Sequence, residues 1–175
     1  MKRLTTPLEE KAIKGLRAGN LVTITGSIVT ARDKAYSRII SGKKPPIDLR
    51  GGAVYHCGPL TKLTPQGWQV ISAGPTTSAR LDPMEIDFIK ATGVRALIGK
   101  GGVGENVAKE MGRLGCIYLA FPGGVGVLAA SRIEGVEKII WEELGPEAIW
   151  VLRVRDFGPM VVAVDRRGNN LFKRL

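Results

Sequence analysis

VRALIGKGGVGENVAKEMGRLGCIYLAFPGG, residues 94–124, is the stretch that decides the fold. It begins with the apolar run VRALIG, continues with VGENVAKEMGRLG, which predicts a helix that ends at Gly115, and closes with the apolar run CIYLAFPGG. A buried strand, a helix and a second buried strand in this order predict a parallel crossover unit. The sequence therefore predicts the α/β class for this part of the chain.

The same alternation extends toward the N-terminus. The segment TTPLEEKAIKGLRAG predicts a first helix, with Thr6 as its cap, Pro7 at its first position, Glu9 completing a capping box and Gly19 ending it. LVTITGSIVT then predicts a strand, ARDKAYSRIISG predicts a short helix that stops at Gly42, and SGKKPPIDLRGG predicts a loop.

The remaining segments complete the predicted domain. AVYHCGP and GWQVISAGP predict strands, and Asp82-Pro83-x-Glu85 begins a helix that should run to Thr92 and stop at Gly93. The last third, AIWVLRVRDFGPMVVAVDRRGNNLF, predicts strand, turn and strand, with a polar turn at DRRGNN. We find no repeat and no domain boundary, so we predict a single α/β domain over residues 1–175, with a mixed sheet or two sheet layers.

Composition limits the possible functions. The charge of +10, from 26 basic and 16 acidic residues, is compatible with a basic nucleic-acid-binding module. The basic residues are scattered, however, and aromatic residues make up only 6% of the chain, so few side chains could stack on bases. A solvated face or an acidic protein partner explains the charge equally well. The apolar runs are too short for a membrane span, and the N-terminus lacks a signal peptide, which predicts a cytoplasmic protein.

The potential metal ligands are few and dispersed. Cys57 and Cys116 lie far apart in the sequence and match no metal or redox spacing, and His56 is the single histidine. We therefore predict that the two thiols are reduced and buried, that His56 is structural, and that this chain holds no metal by itself.

The glycines at Gly99 and Gly104 have the spacing of a nucleotide-binding P-loop. That loop needs a lysine and then a Ser or Thr after the second glycine, to contact phosphates and Mg²⁺. Glu105 and Asn106 occupy these places, and a carboxylate would repel a triphosphate. The motif therefore predicts no nucleotide, and Glu105 most simply begins a helix.

Three loops that follow predicted strands carry residues of one chemical character. They are Ala31-Arg32-Asp33, GPTTSAR at residues 74–80, and Gly99-Lys100-Gly101-Gly102. In α/β sheets, ligands bind beyond the carboxyl ends of the strands. Guanidinium groups, an ammonium and several hydroxyls would together suit a small ligand with two carboxylates. Simpler interpretations also exist: a surface ion pair or cap at Arg32-Asp33, an N-cap with a surface arginine, and a glycine turn with a solvated lysine.

Adding or removing water beside a carboxylate needs a base for the carbon acid and usually a Lewis acid for the hydroxyl. The lone His56 and the scattered cysteines supply no such metal site. If the chain belongs to an enzyme of this type, it is one part of that enzyme.

Several stretches resemble a known family. GSIVTARDKAYSRI, DLRGGAVYHCGPL, VISAGPTTSARLD, GVRALIGKGGV, WEELGPEAIWVLRV and AVDRRGNNLF are similar, in this order, to the C-terminal domain or separate β subunit of class I fumarate hydratases and L-tartrate dehydratases. The similarity extends from about Leu21 to Phe172. The pair GPTTSAR and IGKGG, about twenty residues apart, is its most specific part.

The resemblance implies a swivelling β/β/α domain with a mixed sheet. It also implies an α subunit that holds an oxygen-sensitive [4Fe-4S] cluster, in a hetero-oligomer of α2β2 type, and a β subunit that is inactive alone. The implied activity is the reversible hydration of fumarate to L-malate, with L-tartrate dehydration as the alternative.

The resemblance also implies roles for individual residues. By position, Arg32, Arg80 and Lys100 match the family's contacts with substrate carboxylates. Thr76 and Thr77 match its active-site threonines, and Thr76 is expected to assist a base from the partner subunit.

The chain departs from the family pattern at two positions. Tyr36 stands where many members have histidine, and Val103 stands where many have methionine. Tyr36 either alters the choice of substrate or packs in the interior, and a tyrosine one helical turn after a cap favours packing.

Overall fold

The computed structural model describes residues 1–172. The strands are β1 (Lys2–Thr5), β2 (Leu21–Thr30), β3 (Ala53–Tyr55), β4 (Leu60–Thr64), β5 (Gly67–Ser72), β6 (Ala96–Gly99), β7 (Ile117–Ala120), β8 (Ile133–Ile140) and β9 (Ile149–Val164). The helices are α1 (Glu10–Lys14), α2 (Asp33–Ile40), α3 (Asp82–Thr92), α4 (Glu105–Arg113) and α5 (Gly126–Ser131).

One seven-stranded mixed sheet organises the molecule, in the order β1-β2-β3-β6-β7-β9-β8. Strands β3, β6 and β7 are parallel neighbours, and α4 connects β6 to β7 as the crossover pattern predicts. Strand β9 is antiparallel to β2, β7 and β8. Because β9 pairs with both β2 and β7, the strands β2, β3, β6, β7 and β9 form a closed ring. The α/β class with a mixed sheet is therefore confirmed.

Two apolar clusters fill the two sides of the sheet. Successive residues of β6 point to different clusters. Ile98 packs in the cluster that contains Phe157, and Leu97 packs in the cluster that contains residues of α2, α3 and α4. This division follows from the strand period of two residues. Helices α2, α3 and α4 therefore cover one face, whereas Ile13 of α1 and Ala129 of α5 pack with the cluster on the other side. The carboxyl ends of the parallel strands lead into the loops that carry the predicted site residues.

The predicted first helix is partly wrong. Residues 2–5 form β1, which pairs in parallel with β2, and the backbone N–H of Thr6 donates to the carbonyl of Thr25 over 3.1 Å. Thr6 therefore extends the strand and is not a helix cap. The helix begins only at Glu10 and ends at Gly15, well before Gly19. Sheet pairing with β2 overrides the local capping signal.

The helix predicted at Pro83 to Thr92 is confirmed, and it ends at Gly93 in a left-handed conformation with φ of 68°. Asp82 is the first residue of this helix, and Leu81 takes the N-cap position. The Oδ2 atom of Asp82 accepts the backbone N–H of Gly104 over 2.8 Å, which ties the start of α3 to the start of α4.

Other segments differ from the expectation. Strands β4 and β8 and helix α5 were not predicted, and β4 pairs with β5 in a separate two-stranded sheet. The segment of residues 148–172, predicted as strand, turn and strand, forms one long strand, β9, followed by the predicted polar turn. In this turn the Asp165 carboxylate accepts the backbone N–H groups of Arg167 and Asn169. Among the helices within residues 1–172, none has the length and apolar character needed to cross a membrane.

Candidate active site

Two of the three predicted loops are joined by their backbones. Thr77 and Lys100 form a parallel bridge. On either side of it, the N–H of Lys100 donates to the carbonyl of Thr76 over 3.1 Å, and the N–H of Ser78 donates to the carbonyl of Lys100 over 3.2 Å. The loop of residues 74–80 is therefore held at Thr77 beside the end of β6. Because side chains alternate along a bridge, Thr76, Thr77 and Lys100 are fixed relative to one another.

The hydroxyl of Thr76 has a defined orientation. Its Oγ1 donates to the backbone carbonyl of His56 over 2.9 Å, and its backbone N–H donates to the same carbonyl over 2.7 Å. The hydroxyl hydrogen is therefore engaged, while the oxygen keeps its capacity to accept a hydrogen bond. A half-buried hydroxyl held in this way can accept a hydrogen bond from a ligand or from a neighbouring subunit.

Arg80 joins the second loop to the first. Its guanidinium contacts the carboxylate of Asp33 twice, with Nε at 3.3 Å from Oδ1 and Nη2 at 3.1 Å from Oδ2. Asp33 is the first residue of α2. The surface ion pair considered for Arg32 and Asp33 is therefore not formed between these neighbours. Asp33 pairs across to Arg80, and this fork leaves other guanidinium nitrogens available to an anion.

Arg32 is oriented differently from the other cations. Its Nη2 lies 3.3 Å from Oε1 of Glu147, and a Cβ added at Gly58 would lie 2.5 Å from its Nη1. Its Nε is buried and lacks a hydrogen-bond partner among residues 1–172. Within this range, no hydrogen bond or ion pair joins Arg32 to the other predicted site residues. Arg32 therefore lies against the strand end at Gly58, with one donor still to be satisfied.

Lys100 borders an open cavity of about 480 Å³. The cavity is lined by Thr77, Lys100, Gly101, Ala120, Phe121, Pro122, Gly123, Val161, Leu171 and Phe172. Thr77 and Lys100 carry the polar side chains of this lining, and the other lining residues are apolar or glycine. In the part of the chain that the structure describes, no acidic side chain lines this cavity, so the ammonium is the charged group that a ligand anion would meet there.

A buried hydrogen-bonded chain beneath these loops was not predicted from the sequence. The hydroxyl of Tyr36 lies 2.8 Å from Nε2 of His56 and 2.8 Å from Oε2 of Glu85. On the other side of the imidazole, Nδ1 lies 2.8 Å from the Ser78 hydroxyl, which accepts the Tyr118 hydroxyl over 2.9 Å. The packing alternative for Tyr36 agrees with its position, because its ring is fully buried and stacks on Phe88.

Glu85 lies in the first turn of α3, where a carboxylate is expected to face solvent, but its side chain is entirely buried. A carboxylate on the apolar face of α3 was the one signal in the sequence that could have revealed the chain. Burial raises the pKa of Glu85 to about 8, the Tyr36 hydrogen bond opposes this rise, and the charge of Asp82 adds to it. Burial lowers the pKa of His56 to about 3, aided by Arg80 and opposed by Asp33. Both groups are therefore uncharged at neutral pH.

The donor set of this chain does not fit an iron-sulfur cluster. Such clusters are held by several converging Cys thiolates. Cys57 and Cys116 are both buried, and they belong to the two different apolar clusters on opposite sides of the sheet. Burial also raises the pKa of both thiols. Within residues 1–172, no three His, Cys, Asp or Glu side chains converge in a way that could hold a metal ion.

Comparison with known proteins places this arrangement among related sequences. A family model described as Fumarase C-terminus matches residues 2–175. The L(+)-tartrate dehydratase subunit beta of Escherichia coli (strain K12) is 42% identical over 172 residues, which are 97% of this chain and 86% of that protein. A protein of Geobacillus stearothermophilus named "Putative fumarate hydratase class I" is 42% identical over 170 residues, which are 96% of this chain and 33% of that protein.

Proposed function

This chain belongs to the Fumarase C-terminus family, and we propose that it is the β subunit of an iron-sulfur fumarate hydratase, which interconverts fumarate and L-malate. The observation that carries the proposal is the backbone pairing of Thr76 and Thr77 with Lys100, because it holds the three residues in one unit of which Thr77 and Lys100 line an open cavity. A dicarboxylate matches such a set of donors in both charge and hydrogen bonding.

A second chain is part of the proposal. One relative is named subunit beta, which supports a separate α subunit. Another is a longer protein of which the match covers 33%, which supports a role for this chain as one part of a larger enzyme. The [4Fe-4S] cluster would be held by that subunit, since the donors of this chain do not fit it. When bound there, the cluster would supply the Lewis acid that hydration chemistry requires. We propose that the β subunit is inactive alone and that the complex is of α2β2 type.

The side chains of this subunit would bind and orient the substrate. Arg80 and Lys100 would contact its carboxylates, the first through the face that Asp33 leaves open and the second from the edge of the cavity. Arg32 would add the donor at Nε that has no partner within residues 1–172. Cations fixed before the substrate arrives stabilise developing negative charge without a cost of reorganisation.

Thr76 would act in proton transfer. Its hydroxyl hydrogen is held by the His56 carbonyl, so its oxygen would serve as a hydrogen-bond acceptor. In this position Thr76 would align a base from the α subunit with the carbon-bound proton of the substrate. Thr77, exposed on the same bridge, would donate to a substrate carboxylate.

L-tartrate dehydratase is the second candidate activity. It is favoured by the Escherichia coli relative of that name, which is 42% identical and spans 97% of this chain. Tartrate also carries two carboxylates, so the same cations would bind it. The two substrates differ in their hydroxyl groups, and discrimination between them depends on the groups that meet those hydroxyls.

Anaerobic co-purification with the α subunit, followed by assays on fumarate, malate and tartrate, tests the proposal. We expect turnover of fumarate and malate by the complex and none by this chain alone. Preferential turnover of tartrate would assign the second candidate. A complex without activity on any of the three diacids, together with salt-sensitive binding of this chain to random DNA, would favour the nucleic-acid-binding alternative instead.

A further inference from the structure

The proposed chemistry does not use the buried hydrogen-bonded chain. This chain consists of Tyr36, His56, Ser78, Glu85 and Tyr118. All five side chains are fully buried. They come from different parts of the fold: α2, the end of β3, the loop of residues 74–80, α3 and β7. A hydrogen-bonded path that crosses so many elements fixes them relative to one another, provided that each donor meets an acceptor.

The hydrogens in this chain can be arranged in two ways. When Glu85 carries a proton, it donates to the Tyr36 oxygen, Tyr36 donates to Nε2 of His56, and Nδ1–H of His56 donates to Ser78. When Glu85 is ionised, Tyr36 donates to it, Nε2–H donates to Tyr36, and Ser78 donates to Nδ1. Tyr118 donates to Ser78 in both cases. Loss of one proton from Glu85 therefore reverses three hydrogen bonds and changes the tautomer of a neutral His56.

The chain is connected directly to the candidate active site. The backbone carbonyl of His56 accepts both hydrogen bonds of Thr76. The backbone N–H of Ser78 donates to the carbonyl of Lys100. The Ser78 hydroxyl also fills the space beside Gly99, where an added Cβ would lie 1.9 Å from Oγ. The His56 and Ser78 side chains belong to the buried hydrogen-bonded chain, and the backbone groups of the same two residues bond Thr76 and Lys100. The position of the buried chain therefore affects the position of Thr76 and Lys100.

We propose that Tyr36, His56 and Glu85 are positioning residues for Thr76, and that the proton on Glu85 sets the direction of the hydrogen bonds that run from Tyr36 to Ser78. The role in positioning Thr76 rests on the proposed function. The reversal of the hydrogen bonds is a property of the chain itself and can be tested without any assay of activity.

The surroundings of the chain favour the protonated form of Glu85 at neutral pH. Its Oε1 lies 3.7 Å from Nε2 of His56 and has no hydrogen-bond partner within residues 1–172, so an ionised carboxylate would be left with an unsatisfied oxygen. The carboxylate of Asp82 faces it and disfavours a second negative charge, and the weakly acidic thiol of Cys116 and hydroxyl of Tyr118 also face it.

His56 experiences opposing charges from the loops above it. The guanidinium of Arg80 disfavours an imidazolium, and the carboxylate of Asp33 favours it. Burial is the largest influence, and it keeps the ring neutral. A neutral imidazole carries its hydrogen on either Nδ1 or Nε2. The tautomer of His56 therefore reports whether Glu85 is protonated or ionised.

The polypeptide has a single histidine, so its histidine NMR signals belong to His56. ¹⁵N NMR of the full chain labelled in histidine reports the tautomer of His56 without ambiguity of assignment. We expect a neutral ring with Nδ1–H near neutral pH and a change to Nε2–H at about pH 9, above the pKa of Glu85. In Glu85→Gln, the amide N–H₂ can donate to Tyr36 as a protonated carboxyl does, so the Nδ1–H tautomer should persist at both pH values.

Thr92→Val is the matched control. Thr92 is also buried on α3, and its hydroxyl donates to the carbonyl of Phe88 within the helix, away from the chain. The ¹⁵N signals of His56 in Thr92→Val should change with pH as they do in the unaltered protein. A tautomer that does not change with pH, a tautomer change that Glu85→Gln retains, or a charged imidazole at neutral pH would overturn the proposal.

Kinetics of the complex with the α subunit test the link to Thr76. Tyr36→Phe interrupts the chain in its middle and should lower kcat at least about fivefold, with KM within about twofold. Tyr118→Phe removes only the terminal donor and should have a smaller effect. If Tyr36→Phe does not fold, Glu85→Gln still tests the link. We expect kcat of the unaltered complex to change between about pH 7 and pH 9, as the hydrogen bonds reverse, and we expect Glu85→Gln to remove that alkaline change. A kcat that Tyr36→Phe leaves unchanged, or an alkaline change that Glu85→Gln retains, would contradict the positioning role.

The two proposals fail in different ways. If the unaltered complex is inactive on all three diacids, the proposed function fails, while the NMR result still decides whether the chain reverses. If the complex is active and the tautomer of His56 does not change with the protonation of Glu85, the inference fails and the proposed function stands.

Discussion

Arg80 and Asp33 face each other across two loops, with the guanidinium Nη2 3.1 Å from the carboxylate Oδ2. Both side chains remain about two-fifths exposed, with side-chain exposures of 39% and 43%. Asp33 therefore restricts the guanidinium to one orientation without enclosing it. A substrate carboxylate can approach the open face of Arg80, and the orientation that Asp33 imposes lowers the entropy that binding would otherwise lose.

We expect Arg80→Ala and Lys100→Ala each to lower kcat/KM of the complex at least about tenfold, which corresponds to ~1.4 kcal/mol of transition-state stabilisation. Each substitution removes a cation that would contact a substrate carboxylate. Steady-state kinetics on the preferred diacid measures the effect. Arg50→Ala is the control, since its exposed pair with Asp48 lies near the other end of α3. Parental kinetics in both site variants would refute the assignment.

Thr76→Val should lower kcat about a hundredfold, the range typical of a lost proton-transfer group. Valine keeps the shape of the side chain but has no oxygen to accept a hydrogen bond and no hydroxyl to donate to the His56 carbonyl. Thr76→Ser keeps the hydroxyl and should retain most of the activity. Single-turnover measurements separate this chemical step from binding. Equal losses in the valine and serine variants would show that the methyl group matters and the hydroxyl does not.

Gly99→Ala should destabilise the fold and the site together, by about 1 to 3 kcal/mol in unfolding free energy, as overpacking of a core typically does. The added Cβ would lie 1.9 Å from the Ser78 oxygen and 3.0 Å from Nδ1 of His56. Gly135→Ala on β8 is the matched control, because no atom lies within 4 Å of its added Cβ. Denaturant unfolding compares the two. Equal midpoints for both variants would contradict the described packing.

Glu85→Gln should change how stability depends on pH. The pKa of Glu85 lies at about 8 in the folded protein and near 4.5 in an unfolded chain, so between these values the folded state holds a proton that the unfolded state has released. The free energy of unfolding then falls as pH rises, by up to ~1.4 kcal/mol per pH unit. Glutamine has no such proton, so the variant should gain stability relative to the parent from about pH 5 to pH 8.

Denaturant unfolding across that range measures the difference between the two curves. His56 acts in the opposite direction below pH 6.5, because its pKa is lowered on folding, but it does so in both proteins and cancels in the comparison. Parallel curves for parent and variant would show that Glu85 is ionised in the folded protein.

This chain expressed alone under anaerobic conditions should show no iron-sulfur absorbance. Cys57 and Cys116 lie in separate apolar clusters, so they cannot converge on one cluster. Visible absorption and iron analysis of the purified chain provide the measurement, with the complex containing the α subunit as the positive comparison. A stoichiometric cluster on the isolated chain would overturn the proposed division of labour.

The part of the fold that could be predicted is the part with local signals. Strand β6, helix α4 and strand β7 follow one another along the chain, and each carries its own apolar pattern and glycine end. The pairing of β1 with β2 could not be predicted, because a capping signal at Thr6 pointed to a helix and only the distant partner strand decides otherwise. Local patterns do not contain the register of strands that are remote in sequence.

The site shows the same division. Thr76, Arg80 and Lys100 stand in short motifs, and the structure brings Thr76 beside the Lys100 backbone. Tyr36 and Glu85 lie in separate helices, and their contact with His56 depends on how α2 and α3 pack on the sheet. When the partners of a side chain are distant in sequence, no short motif around that residue predicts its contacts.

The closed ring of strands has a consequence for biosynthesis. Strand β9 pairs with β2, for example Ser27 with Arg153, and closes the ring against β7. A ribosome that has released β2 through β7 holds a nascent chain with two open strand edges, and those edges stay open until residues 149–164 emerge. Such long-range pairing slows folding and exposes edges that promote misassembly. Chaperone demand during translation should therefore peak in the interval before β9 leaves the exit tunnel.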